Sequence, residues 1–364
     1  MTTTVLVTGA GGPLGVNATR CLSEADPELR LIGTDANRWH LPLSLCEQTY
    51  LIPLARERDS YARALADIIE RERVDVVLPT HPVEVRAVAE LSAAARLAAK
   101  TALPRVNVLE LCDDKAATHS RLAEAGVPVP QTLVLDDPVA IDEAFRRWGG
   151  DDRAVWIRGS GAPGLGIGGA ALPCTSPTVA RAWVDHHQGY GRMSASELLP
   201  GANLTWMAVF SQGRLVASAS RERLEYVLPH VAPSGVTGAP AVSRTVDRQD
   251  VREIGERAVR AADDLPHGAY FVDLKGDRDN RPRVTEINAG RCGTTVLFYA
   301  RAGCNFPALL VELASSGMLE PGEDPHRLVE PDLYWVRTLD CGPELVRGDA
   351  GFDSFPRAGL EERD

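Results

Sequence analysis

The chain has 364 residues, a net charge of −11 and an isoelectric point of about 5.3, and its length predicts two or three domains. It contains no long run of lysine or arginine, which disfavours nucleic-acid binding because that binding depends mainly on such residues meeting phosphates. No stretch of about 18 consecutive apolar residues occurs, so the sequence predicts no membrane span.

Strands and helices alternate over residues 1–110. This rhythm predicts a doubly wound parallel sheet, as in Rossmann-like domains. The segment at 80–84 follows the third strand, at the edge where open α/β sheets bind ligands. The predicted strands are at 5–8, 29–35 and 74–79, and the predicted helices are at 16–24, 61–71 and 82–99.

A glycine-rich turn, TGAGGPLG at 8–15, joins the first strand to the first helix. With Asp35 about 20 residues further on, it resembles a dinucleotide-binding fingerprint and the start of extended short-chain dehydrogenases and epimerases. Those enzymes need a Tyr-x-x-x-Lys pair, and none of the seven tyrosines has a lysine four positions later. Two interpretations stay open: the glycines allow close packing of helix on strand, or the helix terminus offers amides to an anionic group.

Residues 111–150 change in character. Asp114 and Lys115 begin a helix that ends near Gly126, and the Val-Pro-Val-Pro segment after it enforces extended backbone. A strand at 133–135 and a helix at 140–148 follow. These elements predict the start of a second domain.

A further strand ends in Arg158 and leads into six glycines within 159–169. Backbone amides of such a loop can close over phosphates, and the guanidinium of Arg158 suits phosphate oxygens. We therefore predict a mobile lid that includes Gly164, Gly166 and Gly168. A flexible surface loop is the alternative interpretation.

The second half of the chain is predicted to contain more strands, with a helix before and after a hairpin. The motif Ser-Glu-Leu-Leu-Pro-Gly at 196–201 precedes them. The predicted strands are at 204–210, 215–220 and 333–339, and the predicted helices are at 250–262 and 306–315.

The predicted hairpin is the most informative feature of the sequence. Its strands, at 269–274 and 283–287, flank a polar turn. Glu286 and Asn288 are two residues apart and face the same side of their strand. A turn near 279–280 places Asp273 opposite Glu286.

Two carboxylates and an amide oxygen on one surface are hard ligands that suit Mg²⁺. Lys275 and Arg291 lie close by in the sequence and are candidates to meet phosphate oxygens. The hairpin therefore predicts phosphoryl chemistry, with a solvated acidic face as the alternative. Burying carboxylates within these apolar strands is costly unless they are paired or bound to metal.

The seven cysteines are scattered without a CxxC pair, so neither a zinc site nor a disulfide framework is indicated. Their number and spacing fit a reducing cytoplasm. The amino terminus lacks the basic start of a signal peptide. Cys292, directly after the second hairpin strand, is interpreted as a buried structural thiol. We expect a cytoplasmic protein.

Taken in order, four motifs resemble the ATP-grasp superfamily, in particular the branch similar to the large subunit of carbamoyl-phosphate synthase. The resemblance implies a Rossmann-like domain at 1–110, a two-lobed α+β ATP-grasp domain at 111–330 with a lid at about 153–198, and an extension at 331–364 packing on the core. The motifs are Asp114-Lys115 with Gly-Val-Pro-Val-Pro after its helix, Trp-Ile-Arg158 with the glycine loop, Ser-Glu197-Leu-Leu-Pro-Gly201, and Asp273 with Glu-Ile-Asn-Ala-Gly-Arg at 286–291.

The resemblance also implies the roles of individual residues around ATP. Three positions depart from the family's usual pattern: Arg158 replaces lysine, Asn203 stands near a ribose-binding glutamate, and Asp273 is a shorter carboxylate. The implied roles are phosphate contacts for Lys115 and Arg158, adenine binding for Glu197, Leu198 and Leu199, a ribose contact for Asn203, metal binding for Asp273, Glu286 and Asn288, and action on the transferred phosphoryl group for Arg291 and Lys275.

The implied activity is that of an ADP-forming carboxylate–amine ligase, in which a carboxylic acid becomes an acyl phosphate that an amine attacks. ATP and Mg²⁺ are the implied cofactors, with Mn²⁺ as the alternative metal. Small-molecule acids and amines are the expected partners, and a homodimer is a family-level expectation. Candidates for binding an anionic substrate are Arg221, Arg223, Arg301 and Arg337.

Other functions stay open at this point. A thiol could replace the amine, or bicarbonate could be the acid, as in carboxyphosphate formation. An NAD-dependent epimerase or reductase lacks its Tyr-x-x-x-Lys pair, and a silent nucleotide-binding protein would not need the metal trio. Among the eight histidines, His81 and His230 are placed in loops that could face a site.

Overall fold

The computed structural model describes residues 2–150, 153–159, 170–229, 238–338 and 341–347. The strands in these ranges form a four-stranded parallel sheet and two sheets of four and seven strands. None of the helices within the same ranges is long and apolar enough to cross a membrane.

The amino-terminal part forms the parallel sheet that the strand–helix alternation predicts. A short edge strand at its side was not predicted, because its residues are mostly half-exposed and lack an apolar run. The strand order is 3-2-1-4 by position in the chain, with all pairs parallel. The elements are β1 (Thr4–Thr8), α1 (Pro13–Ala25), β2 (Arg30–Asp35), a 3₁₀ turn (Leu41–Leu43), β3 (Gln48–Leu51), α2 (Arg58–Glu72), β4 (Val76–Leu78) and α3 (Pro82–Ala93).

The glycine-rich turn between β1 and α1 serves close packing. A Cβ atom at Gly15 would lie 2.2 Å from the carbonyl oxygen of Gly9, and one at Gly11 would lie 1.9 Å from that of His40. The Gly11 amide also donates to the Asp35 carboxylate at 3.1 Å. The Gly11 amide and the Asp35 carboxylate are thus hydrogen-bonded to each other, so this amide is not available to an anion. This supports the packing interpretation of the turn over the anion-binding one.

We expect Gly15→Ala to lower the free energy of unfolding by about 1–3 kcal/mol, because an added methyl group would collide with backbone atoms that cannot move aside cheaply. Urea unfolding followed by circular dichroism measures this change. Gly322→Ala is the matched control, since a Cβ there meets no atom within 4 Å. Equal stability of the two variants would contradict the packing role.

The second sheet is antiparallel and forms one wall of the cleft described below. Helices α6 and α7 cover one face of this sheet around a small core that includes Ile141, Val155 and Val184. The strand order is β5-β8-β6-β7. The elements are α4 (Val106–Asp113), α5 (Lys115–Glu124), β5 (Thr132–Val134), α6 (Pro138–Trp148), β6 (Val155–Gly159), β7 (Ala171–Cys174), α7 (Pro177–His186) and β8 (Met193–Glu197).

The third sheet has seven antiparallel strands in the order β13-β12-β9-β10-β11-β14-β15. The elements are β9 (Asn203–Ser211), β10 (Arg214–Tyr226), β11 (Pro240–Thr245), α8 (Gln249–Ala262), β12 (Gly268–Gly276), β13 (Pro282–Ala289), α9 (Val296–Arg301), α10 (Phe306–Ser316), β14 (Leu333–Thr338) and β15 (Cys341–Arg347).

Two apolar cores sandwich this sheet. On one side, α9 and α10 pack with α1 and β1 around side chains such as Phe298 and Trp335. On the other side, α8 approaches so closely that a Cβ at Gly255 would lie 2.7 Å from the ring of Trp206. Large buried surfaces on both faces make the sheet a rigid platform for side chains at its end.

Candidate active site

A cavity of about 890 Å³ lies between the second sheet and the seven-stranded sheet. Helix α5 contributes Lys115, β6 contributes Arg158, and the hairpin β12–β13 contributes its acidic residues. The two sheets thus converge on one cleft, which brings together residues that are far apart in the sequence.

The two carboxylates of the hairpin face each other as the sequence predicts. Asp273 on β12 is in register with Glu286 on β13, and Asp273 is buried. On its other side, Asp273 accepts a hydrogen bond from the hydroxyl of Thr205 at 2.9 Å and forms an ion pair with Arg223. Burial, and then the negative charge of Glu286, raise the pKa of Asp273 despite the Arg223 guanidinium.

Two cations from the opposite wall reach Glu286. The Lys115 ammonium lies 3.3 Å and the Arg158 guanidinium 3.6 Å from its Oε2 atom. Burial alone would raise the pKa of Glu286, but these two charges hold it well below its usual range. The cations lie where they can meet the phosphates of a nucleotide, because the carboxylate they contact is a candidate metal ligand.

Asn288 and Arg291 complete this cluster. The Asn288 side chain lies on the same strand face as Glu286, its Nδ2 atom 3.5 Å from Glu286 Oε1, and its oxygen accepts a hydrogen bond from Arg291. Burial lowers the pKa of Arg291, which lines the cavity. In the described ranges no group of three or more His, Cys, Asp or Glu side chains could hold a metal. A cation here would therefore use the two carboxylates and the amide oxygen.

These residues fit a magnesium ion. Two carboxylates that face each other repel one another unless a cation lies between them; burial raises the pKa of Asp273 most, and the charge of Glu286 adds to that rise. The oxygen ligands match the preference of Mg²⁺ for one or two carboxylates, with phosphates and water completing its shell.

The segment at 197–199 forms another part of the cavity wall. Glu197, Leu198, Leu199 and Asn203 all line the cavity. The Glu197 carboxylate accepts a hydrogen bond from the Gln131 amide at 3.0 Å, so protein groups already hold it. The backbone and the leucine side chains of this segment are consequently the groups available to a flat apolar ring.

Lys275 lines the same cavity, two residues from Asp273 on β12. Burial, and then the charge of Arg223, lower the pKa of Lys275 to about 8. A lysine with such a pKa holds a neutral amine in part near neutral pH and can accept a proton.

The lowered pKa of Lys275 makes a testable prediction about stability. Between about pH 8 and 10.5, the unfolded chain holds more protons at this position than the folded chain. The folding stability of the wild type, relative to Lys275→Met, should therefore rise with pH across that window. Urea unfolding from pH 7 to 10.5 measures the difference. Lys275→Arg, which stays charged, separates loss of charge from loss of the side chain. A difference in unfolding free energy between the wild type and Lys275→Met that does not change with pH would contradict the prediction.

The predicted substrate arginines separate in the structure. Arg221 and Arg223 line the cavity on β10, where Arg223 is engaged with Asp273. Arg301 does not line it: at the end of α9 it forms an ion pair with Glu24 of α1 at 2.9 Å. The structure thus places Arg301 outside the cavity lining, in contact with helix α1.

Other predicted residues lie elsewhere. His81 begins α3, where its Nδ1 atom accepts a hydrogen bond from the Val83 amide at 3.4 Å. The lid residues Gly164, Gly166 and Gly168, and His230, lie outside the described residues.

Two residues of the site escaped the sequence analysis, one that supports a cavity residue and one that lines the cavity. Thr205 contacts Asp273 because β9 pairs with β12 in a register that only the folded sheet defines. His119 of α5 lines the cavity and hydrogen-bonds the Thr285 carbonyl oxygen at 3.0 Å. Its spacing of four from Lys115 on one helix face is the signal that could have identified it.

No family model and no curated protein matches the chain, but many solved structures resemble it. The L-amino acid ligase from Bacillus licheniformis aligns with a TM-score of 0.65 and 15% identity over 92% of this chain and 78% of its own. Biotin carboxylase from Campylobacter jejuni gives 0.66 and 14% over 91% and 74%. N5-carboxyaminoimidazole synthetase from Staphylococcus aureus, solved with ADP, gives 0.66 and 14% over 92% and 83%.

These likenesses extend over nearly the whole chain. The chain therefore has the ATP-grasp fold, which confirms the fold that the four sequence motifs predicted.

Proposed function

We propose that the protein is an ATP-dependent, ADP-forming ligase that joins a small carboxylic acid to an amine. The observation that carries this proposal is the Asp273–Glu286 pair with Asn288, set in a large cleft and surrounded by partly buried cations. Structural neighbours named as an L-amino acid ligase and as N5-carboxyaminoimidazole synthetases support it.

The cations of the cleft would bind the nucleotide. Lys115 and Arg158 would exchange their contacts with Glu286 for phosphate oxygens, and the segment at 197–199 would hold the adenine, with Asn203 near the ribose. Asp273, Glu286 and Asn288 would hold Mg²⁺, or Mn²⁺ in its place. When bound, the metal would offset the negative charge of the phosphates during transfer.

Arg291 and Lys275 would then act on the substrates. The half-buried Arg291 guanidinium would stabilise the negative oxygens as the phosphoryl group passes to a carboxylate oxygen. Attack of the amine on the acyl phosphate forms the amide bond, releases phosphate and leaves a proton. Lys275, with its pKa near 8, would accept that proton. The glycine-rich segment would exclude water from the intermediate.

The proposal is tested by measuring ADP release from Mg²⁺-ATP with a panel of small carboxylic acids and amino acids, each alone and paired with amines. Release that needs both an acid and an amine is the expected result. Release with bicarbonate alone would replace the proposal with carboxyphosphate chemistry. ATP binding without ADP release under every condition would instead indicate a silent nucleotide-binding protein.

Two further expectations accompany this function. We infer a reducing cytoplasm as the compartment, because the six cysteines at positions 21 to 304 are free. We also propose a homodimer, since one structural neighbour is named as a biotin carboxylase domain dimer. Light scattering of the purified protein tests the homodimer, and a monomeric mass at micromolar concentration would exclude it.

A further inference from the structure

Two guanidinium groups, those of the buried Arg221 and the half-buried Arg337, lie in and beside the cavity. Arg221 is 2% exposed; its Nη1 atom donates to the Ser243 hydroxyl at 3.1 Å, and its guanidinium lies 5.7 Å from the ring centre of Phe271 and 6.0 Å from that of Tyr299. Arg337 donates to the carbonyl oxygens of Pro240 at 2.8 Å and Thr294 at 3.4 Å, both of which line the cavity. Both arginines therefore border the same space.

Neither arginine has a carboxylate partner among the described residues, in contrast to Arg223, which Asp273 neutralises. The Nε atom of Arg221 and the Nη2 atom of Arg337 are buried without an acceptor, as is the hydroxyl of Tyr226 in the cavity wall. Buried donors in folded proteins are nearly always paired. This end of the cavity thus offers several donors and needs an acceptor.

The two arginines also repel each other. Burial, and then the nearby charge of Arg221, lower the pKa of Arg337 to about 10, and burial lowers that of Arg221. Like charges held together without a counter-charge destabilise a fold. Such an arrangement is typical of a binding site, where a ligand supplies the missing charge.

We propose that Arg221 and Arg337 bind a second anionic group, a carboxylate or a phosphate, on a substrate whose reacting carboxylate lies beside Asp273 and Glu286. This inference rests on the proposed ligase function. Planar guanidinium groups match both oxyanions by paired hydrogen bonds.

The position of Arg221 limits the length of that substrate. Arg221 lies two residues from Arg223 on β10, and Arg223 contacts Asp273. Two residues along a strand span roughly 7 Å. A substrate whose two anionic groups are several bonds apart, as in glutarate, matches this spacing.

Calorimetric titration of the full chain with MgADP tests the site without turnover. Glutarate and 3-phosphonopropionate are the dianionic probes, and butyrate is the matched monoanion. We expect a dianion to bind at least about tenfold more tightly than butyrate, as the loss of charged hydrogen bonds implies. Arg221→Met and Arg337→Gln should each abolish this preference, while Arg214→Gln, on the same strand but paired with Glu320 at the surface, should keep it.

A melting temperature separates binding from a structural role. Arg221→Met should melt no lower than the wild type without ligand, because it removes an unneutralised buried charge. Equal binding of butyrate and both dianions, or an unchanged preference in both arginine variants, would overturn the inference.

ADP release separates this inference from the proposed function. Its arms compare glutarate with butyrate as the acid, and an amino acid with its amide as the amine. A preference for glutarate is expected, and a preference in the amine arm alone would place the anion on the amine and overturn the inference. Tight dianion binding that depends on the two arginines, with no ADP release, would support the anion site and contradict the proposed ligase function. ADP release without any preference for dianions would support the ligase function and overturn the anion site.

Discussion

Asp273→Asn and Glu286→Gln are each expected to lower the rate of ADP release at least about a hundredfold. Each replaces a carboxylate by a neutral amide of the same shape, so the cleft keeps its form and loses one charged ligand for the metal. Asp273 and Glu286 lie opposite each other, so both would contact the same metal. Loss of either carboxylate should therefore be enough to lower the rate. Steady-state assays over a range of Mg²⁺ concentrations measure the effect.

Metal-free nucleotide binding gives this prediction a second readout. Glu286→Gln leaves Lys115 and Arg158 without their carboxylate, so ATP in the presence of a chelator should bind at least as tightly as to the wild type. Asp279→Asn is the matched control, since Asp279 is largely exposed on the turn of the same hairpin. Wild-type turnover in both amide variants would show that the hairpin carboxylates do not bind the metal.

Arg223→Met is expected to destabilise the protein by about 3–5 kcal/mol in the absence of ligand. Arg223 and Asp273 form a buried ion pair, and removing the guanidinium leaves an uncompensated carboxylate in the sheet. Mg²⁺ with ATP should restore part of this stability, because a bound cation replaces the lost charge. Urea unfolding with and without the ligands measures both changes.

A double-mutant cycle isolates the pair. Adding Asp273→Asn to Arg223→Met removes the unpaired carboxylate, so the double variant should be more stable than Arg223→Met alone. Arg244→Met provides the comparison, since its ion pair with Glu222 at 2.9 Å is partly exposed and should contribute about 1 kcal/mol or less. Additive losses in the cycle would mean that the two side chains do not depend on each other.

The sequence predicted the parts of the site that depend on local spacing. The facing of Asp273 and Glu286 follows from hairpin length and strand alternation, and both are readable from consecutive residues. Helix α5 begins at Lys115 because Asp114 caps it, with its carboxylate accepting the amides of Ala116 and Ala117 at 3.0 Å each. These features need no knowledge of the distant chain.

Features that depend on pairing between distant strands were not predictable. Strand β10 was predicted to end within residues 220–223, yet it continues to Tyr226 because β11 pairs with its second half. That pairing places Arg221 in the site. Arg301 has the same chemistry but ends α9 on the side that faces α1, and no sequence pattern distinguishes the two arginines.

The same dependence on distant pairing bears on how the protein can be produced. Strand β14 lies beside β11 in the seven-stranded sheet, and its Trp335 is fully buried against Phe298, with ring centres 5.6 Å apart. A shortened version that stopped before Leu333 would leave β11 as an open strand edge above an emptied apolar core, and open edges of this kind promote aggregation. Expression of shorter fragments would therefore yield insoluble protein unless the chain is kept through β14.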